Sequence, residues 1–194
     1  GVAAEIQSAL TRLEAETGTR FGDPDCPLLL SVRSGAAASM PGMMDSLLNI
    51  GLNAQTVQGL ARTCGDARFA YDCWRRFLQM YGAVVLGVPA DVFEDALDRI
   101  ERAQHCLCDA DLTADDWQEV IAVYQDLIRR HTGAPLPDDP QAQLSGAIAA
   151  VCRSWLNPRA RTYRRLHDIP EEGGTAINVQ AMVFGNLGAQ GATG

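Results

Sequence analysis

The sequence contains no lysine: all 16 of its Lys-plus-Arg positions are arginine. A mechanism that needs a lysine ammonium on a phosphate therefore cannot be completed from these residues. Against the 16 arginines stand 24 carboxylates, giving a formal net charge of −8 over 194 residues. A generic nucleic-acid or anionic-membrane surface needs a basic field. The sign here is the opposite, so neither partner is expected. Long apolar runs are also absent: nothing approaches the roughly 18–20 residues that span a bilayer. The opening residues, Gly1-Val2-Ala3-Ala4-Glu5, have neither the charged start nor the apolar stretch of a secretory leader, and a cytoplasmic protein is expected. Cysteine is too sparse for a disulfide scaffold at 6 residues, so reduced thiols are expected. His105-Cys106-Leu107-Cys108 supplies metal-ligand types, but a structural zinc site needs four ligands and usually a second spaced pair. No second pair is present, and no metal site is expected.

What is present is ordinary for a globular chain: 47% hydrophobic and 21% charged residues, enough for one sizeable core or two small ones. Ile6, Leu10 and Leu13 recur at helical spacing over 2–17, and Gly18 is a natural stop. After a loop with Gly22, Asp23-Pro24 and Pro27, the continuous apolar run 28–32 suits a buried strand that delivers Arg33 at its end. From about 54 to 132 the pattern is helical only. One helix over 66–81 carries Phe69, Cys73, Phe77 and Met80 on a face, and the next follows Pro89 with Phe93, Leu97 and Ile100. Thr113-x-x-Asp116 resembles a capping box ahead of the stripe Trp117, Val120, Ile121, Tyr124, Leu127 and Ile128, which ends near Gly133. His131 near that end reads as a capping residue.

The Pro- and Asp-rich stretch 134–140 reads as a joint. A helix with Leu144, Ile148, Val151, Cys152 and Trp155 facing inward follows, broken at Asn157-Pro158. Residues 159–167 form a short basic helix or turn, 175–184 a strand, and the last ten residues a turn. Strand material near both ends with helices between predicts an α/β fold interrupted by a helical insertion, predominantly helical overall.

Two features could carry chemistry. Arg33 at the end of a buried strand, beside a glycine-containing loop, sits where open α/β folds bind ligands, and its fork suits phosphate oxygens. An ion pair with one of the many carboxylates is the alternative. The small-residue loop 34–45 allows close backbone approach to an anion, although Gly35 and Gly42 match neither a Walker pattern nor a dinucleotide fingerprint. Met40, Met43 and Met44 could equally pack beneath it. The arginines at 75, 76, 159, 161, 164 and 165 read either as a solvated surface of ion pairs or as a docking face for another domain or for phosphate.

The run Ser31-Val32-Arg33-Ser34-Gly35-Ala36-Ala37-Ala38-Ser39-Met40-Pro41-Gly42-Met43-Met44-Asp45 closely resembles the signature of the pyruvate, phosphate dikinase family. Leu48-Asn49-Ile50-Gly51-Leu52-Asn53, Arg68-Phe69-Ala70-Tyr71-Asp72, and the run Arg75-Arg76-Phe77-Leu78-Gln79-Met80-Tyr81-Gly82 add to it. So do Ser154-Trp155-x-Asn157-Pro158-Arg159-Ala160, Thr162-Tyr163-Arg164-Arg165 and Asn178-Val179-Gln180-Ala181-Met182-Val183-Phe184-Gly185-Asn186. The resemblance covers roughly residue 21 to the end. Phosphoenolpyruvate synthases share the Ser-Val-Arg-Ser start but usually not the Met-Pro-Gly-Met-Met-Asp that follows.

The resemblance implies a partial ATP-grasp nucleotide-binding subdomain at 1–53 and 139–194, with a helical subdomain inserted at 54–138. It implies ATP and Mg²⁺ as cofactors, and conversion of ATP, phosphate and pyruvate to AMP, pyrophosphate and phosphoenolpyruvate. The partners it implies are a swivelling phosphohistidine domain and a pyruvate-binding barrel. Carried over, Arg33 is the phosphate-binding arginine, and Ser39, Met40, Pro41, Gly42, Met43 and Asp45 belong to the loop over the phosphates. Gln180, Met182 and Val183 belong to the strand that meets adenine through its backbone, with Met182 packing on the ring. The family's ATP-binding lysine falls before residue 1 and its Mg²⁺ carboxylates after residue 194, and His105, His131 and His167 lie in no phosphohistidine motif. The chain is therefore expected to be inactive alone. A non-catalytic interaction module or a phosphoenolpyruvate synthase fragment is the alternative, and exposed strand edges lead us to expect a homo-oligomer.

Overall fold

The computed structural model describes residues 1–35, 38–106 and 108–185. Helix α1 (Val2–Thr17) ends where Gly18 enters the left-handed region at φ 68° and its N–H bonds the Glu14 carbonyl. Only Leu10 of this helix is fully buried. Two short strands, β1 (Arg20–Phe21) and β2 (Pro27–Leu28), pair in parallel. The next strand therefore starts later than its apolar run does: β3 is Leu30–Ser34, and Arg33 lies within it rather than beyond its end.

β3 is the centre of a three-stranded antiparallel sheet, with β4 (Ser46–Ile50) on one side and β5 (Ile177–Ala181) on the other. Side chains alternate across a strand. Leu30 and Val32, fully buried, face the core; Ser31 and Arg33 face the other way. Across the ladder, Asn178 stands opposite Arg33 and Gln180 opposite Ser31, on that same second face. β5 is shorter than its sequence pattern, and the residues after it leave the ladder once the Met182 amide has bonded the Leu29 carbonyl at 2.9 Å.

Helix α6 (Pro140–Ser154) covers the core face of the sheet through Leu144, Ala147 and Val151. Asp139 caps it, accepting from the Gln141 and Ala142 amides. The remaining helices are α2 (Thr56–Cys64), α3 (Ala67–Val84), α4 (Ala90–Ala103), α5 (Ala114–Thr132) and α7 (Pro158–Leu166). α3 is the spine: it packs on α2, α5 and β4. Phe77, Phe93, Trp117 and Tyr124 fill the interior, and the Tyr124 hydroxyl donates to the Phe93 carbonyl at 3.1 Å. Gly82 is required for contact rather than for a turn, because a Cβ there would stand 2.7 Å from the Phe93 ring. Thr113 and Asp116 form the capping box in both directions, with Asp in the usual Glu position. His131 Nδ1 lies 2.9 Å from the Leu127 carbonyl in the last turn of α5.

Sheet and helices share one continuous core. Buried Gln143 ties the segments where they meet: it accepts from the Gly51 amide at 2.9 Å and donates to the Leu52 and Pro137 carbonyls. No described helix is long and apolar enough to cross a membrane.

Candidate functional site

Between β3 and β4 runs a loop whose described residues are Gly35 and 38–45, and Arg33 pairs across the ladder with Ser46. At the near end of the loop, the Gly35 amide donates to the Ala176 carbonyl at 2.7 Å. A Cβ on Gly35 would meet Asn178 Nδ2 at 2.8 Å, so a side chain there would have to displace the Asn178 amide. At the tip, the Met43 amide bonds the Met40 carbonyl at 3.1 Å, and Gly42 has φ 70°. Proline second and glycine third in a turn closed by an i to i+3 bond is the signature of a type II turn. The Pro41-Gly42 pair therefore has a local geometric cause.

Arg33, Ser34, Gly35, Ala38, Ser39, Met40, Pro41 and Met44 line a cavity of about 390 Å³. Arg33 is exposed, and among the described residues no carboxylate pairs with it. The ion-pair alternative for this side chain is thus not what the structure contains. Met40 is buried beneath the loop, so one of the three methionines packs there. Ser39, Pro41 and Gly42 are exposed. Of the loop residues singled out from sequence, Ser39, Met40 and Pro41 join Arg33 in the cavity lining, while Gly42, Met43 and Asp45 do not line it.

The far end of the loop is held from another direction. The Asp45 amide donates to Ser154 Oγ at 3.2 Å, and Asn157 Nδ2 donates to Asp45 Oδ2 at 3.1 Å. Arg159 forms an ion pair with Asp45 and also donates from Nε to the Met43 carbonyl at 3.1 Å. All three partners lie at the junction of α6 and α7, where Asn157-Pro158 ends one helix and begins the next. Sequence reasoning placed them only in a block of resemblance and, for Arg159, in a basic cluster. Their sequence distance from the loop, 109 to 116 residues, leaves no local signal.

That basic cluster is not one surface. Arg75 is buried, stacked 4.7 Å over Trp117 and paired with Asp72 at 2.5 Å and Asp109 at 3.3 Å. Arg76 shares Asp72. Arg164 is almost fully buried, stacked 4.0 Å over Trp155 while Nη1 donates to the Trp155 carbonyl. Arg161 and Arg165 remain exposed.

On β5, backbone groups of successive residues point to opposite edges. The Ala176 carbonyl and the Met182 amide both bond toward β3. By alternation, the groups of Gln180 also face β3, while those of Ala181 face the open side; Val183 lies past the end of the strand. The backbone of Met182 is thus committed inward, and its side chain packs partly against the core. Val183 is 89% exposed, and Phe184 is anchored edge-on against Phe69 with centroids 5.1 Å apart. Gln180, Met182 and Val183 do not line the Arg33 cavity; they stand one strand away.

Among the described residues no group of His, Cys, Asp or Glu is placed to hold a metal ion. Asp45, the carboxylate nearest the cavity lining in sequence, already serves Arg159 and Asn157.

A predominantly helical chain with small sheets is consistent with an α/β nucleotide-binding domain. Known families make the class specific. The family described as "Pyruvate phosphate dikinase, AMP/ATP-binding domain" matches residues 1–194, and the chain belongs to that family. The match includes α1, which the resemblance read from sequence had left out. The chain is 56% identical to pyruvate, phosphate dikinase of Rhizobium meliloti (strain 1021) over 194 residues, 100% of this chain and 22% of that protein. It is 51% identical to the Giardia intestinalis protein of that name, again over 100% of this chain and 22% of the relative. It is 48% identical to pyruvate, phosphate dikinase 1, chloroplastic, of Zea mays, covering 100% of this chain and 20% of that protein. The chain thus spans about a fifth of the length of these curated relatives. Bacterial and chloroplastic names occur side by side, so the relatives are not confined to one compartment.

Proposed function

We propose that this chain forms one wall of the ATP site of a pyruvate, phosphate dikinase, within a larger protein that converts ATP, phosphate and pyruvate to AMP, pyrophosphate and phosphoenolpyruvate. The observation that carries the reading is the unpaired Arg33 guanidinium opening into the same cavity as the 38–41 stretch of the loop. With no carboxylate partner among the described residues, the exposed Arg33 guanidinium is available to an anion from outside. Its planar fork offers two parallel N–H bonds to phosphate oxygens. Ser39 and the exposed backbone of Pro41-Gly42 stand where small residues let phosphate oxygens approach. Phosphoryl transfer needs little covalent help from the protein, and positioning with charge stabilisation supplies most of the catalysis.

In this reading the adenine edge meets the outward backbone of Ala181 and the backbone of Val183 just past the strand, in the stretch that also holds Gln180 and Met182. The segments 1–53 and 139–194 act as an ATP-grasp subdomain around the inserted helices 54–138. The phosphohistidine and pyruvate sites lie on other domains of the parent. Mg²⁺ does not fit the described residues as a protein-held ion, since Asp45 is already committed to Arg159 and Asn157.

Calorimetric titration of ATP into the full-length protein tests the reading. Arg33→Ala is expected to weaken ATP by about 1.5–3 kcal/mol, the range for hydrogen bonds to charged groups, and adenosine hardly at all. Arg33→Lys is expected to recover part of the loss, because a point charge replaces a fork. Equal affinity of wild type and Arg33→Ala for ATP would remove Arg33 from the site.

A further inference from the structure

The junction of α6 and α7 is built at a cost to its own helices. Asn157 is the N-cap residue of α7, a position where asparagine ordinarily accepts a bond from an amide of the first turn. Here it makes no side-chain cap, and its amide donates to Asp45 instead. Ser154, 1% exposed, donates to the Val151 carbonyl at 2.7 Å and accepts from the Asp45 amide. Arg159 bonds two points of the loop, the Met43 carbonyl and the Asp45 carboxylate. The junction is itself braced. Arg164, 1% exposed, stacks on Trp155 and bonds its carbonyl, and the Trp155 indole donates to the Glu171 carbonyl at 3.1 Å. Three side chains from one helix junction thus converge on the last three residues of a loop more than 100 residues away in sequence.

From this convergence we infer that Ser154, Asn157 and Arg159 are positioning residues: they latch the 39–45 loop in the conformation that covers the nucleotide phosphates. The inference rests on the ATP-site reading above and deepens it. None of the three lines the Arg33 cavity. They act through Met43 and Asp45, whose placement fixes the exit of the Pro41-Gly42 turn. Backbone donors serve a phosphate only when they are in place before it arrives, and small misplacements are costly. The latch supplies that preorganisation, and Asp45 is its receptor rather than a ligand of the nucleotide.

The test uses Ser154→Ala and Asn157→Ala in the full-length protein, with two readouts. Hydrogen exchange of the Asp45 amide in Ser154→Ala is expected to quicken at least about tenfold while amides of α5 keep wild-type protection, since local opening is energetically separate from global unfolding. ATP affinity is expected to fall about tenfold in both variants with adenosine affinity within about twofold, because the latch acts only on the phosphate end. Unchanged exchange at Asp45, or equal loss of ATP and adenosine, would overturn the inference. If Ser154→Ala fails to fold, the part-exposed Asn157→Ala decides by the same ligand comparison. A wild-type protein that binds neither ligand overturns the site reading and the latch together, whereas loss confined to the variants bears on the latch alone.

Discussion

Gly42 shows how much of the candidate site is decided by single residues. Its φ of 70° lies in the left-handed region, with nothing within 4 Å of where a Cβ would be. A substitution there therefore meets a backbone penalty and no clash. Gly42→Ala is expected to cost about 1–2 kcal/mol in the loop conformation. Thermal unfolding, governed by the core, should shift little, while ATP affinity should fall about tenfold for each 1.4 kcal/mol lost from the loop. Unchanged ATP affinity would show that the turn does not need its present geometry to bind. Arg33 was legible as a charge at the end of an apolar strand, which falls in β3, whereas the Pro41-Gly42 pair was read only as part of a small-residue loop, although its order is a turn signature. Asp45 was legible as a loop residue but not in its role, because its partners come from a different part of the chain.

At the scale of elements, helices were read well and strands less so. The stripe from Trp117 to Ile128 maps onto α5, and the Thr113/Asp116 box caps it as its spacing requires. β4 went unread because its residue types do not alternate: Leu47 and Leu48 are adjacent, and the buried position 49 is an asparagine. Leu47, Asn49 and Ile50 are buried while Leu48 is 39% exposed, a register irregularity separates Leu30 from Val32 on the partner strand, and Asn49 has φ 59°. Such a strand looks like the start of a helix. The α5 cap makes a pH prediction. Hydrogen bonds from the Thr113 side chain and then its backbone hold the Asp116 carboxyl below its usual range. A depressed folded pKa contributes stability above the unfolded value and loses it as pH falls through the folded one. Thr113→Ala should destabilise by about 1 kcal/mol at neutral pH. The wild-type advantage should shrink in acid, as followed by denaturant melts at pH 7 and pH 2.5. A constant difference across that range would contradict the assignment.

At the scale of the whole molecule, the three-stranded sheet of the described residues has β4 and β5 at its edges, and by strand alternation the backbone of Ala181 faces outward. Unpaired edges invite another strand. The 194-residue chain expressed alone is therefore expected to self-associate through β5, read by light scattering after size exclusion, and a monodisperse monomer at high concentration would contradict this. On the proposed reading, the same edge is available to adenine in the parent protein. The shared core beneath the sheet and the helices makes α3 and α6 the frame against which the loop and β5 are held.

The central claim is that ATP lies across the loop and β5 together. Hydrogen exchange of the full-length protein with and without ATP tests it most directly. Between α4 and α5 lies a separate groove, lined by Arg99 and Glu119; the account predicts added protection at residues 39–45 and at Ala181 and Val183, with this groove unchanged. Protection in that groove, with none at the loop or at β5, would contradict it.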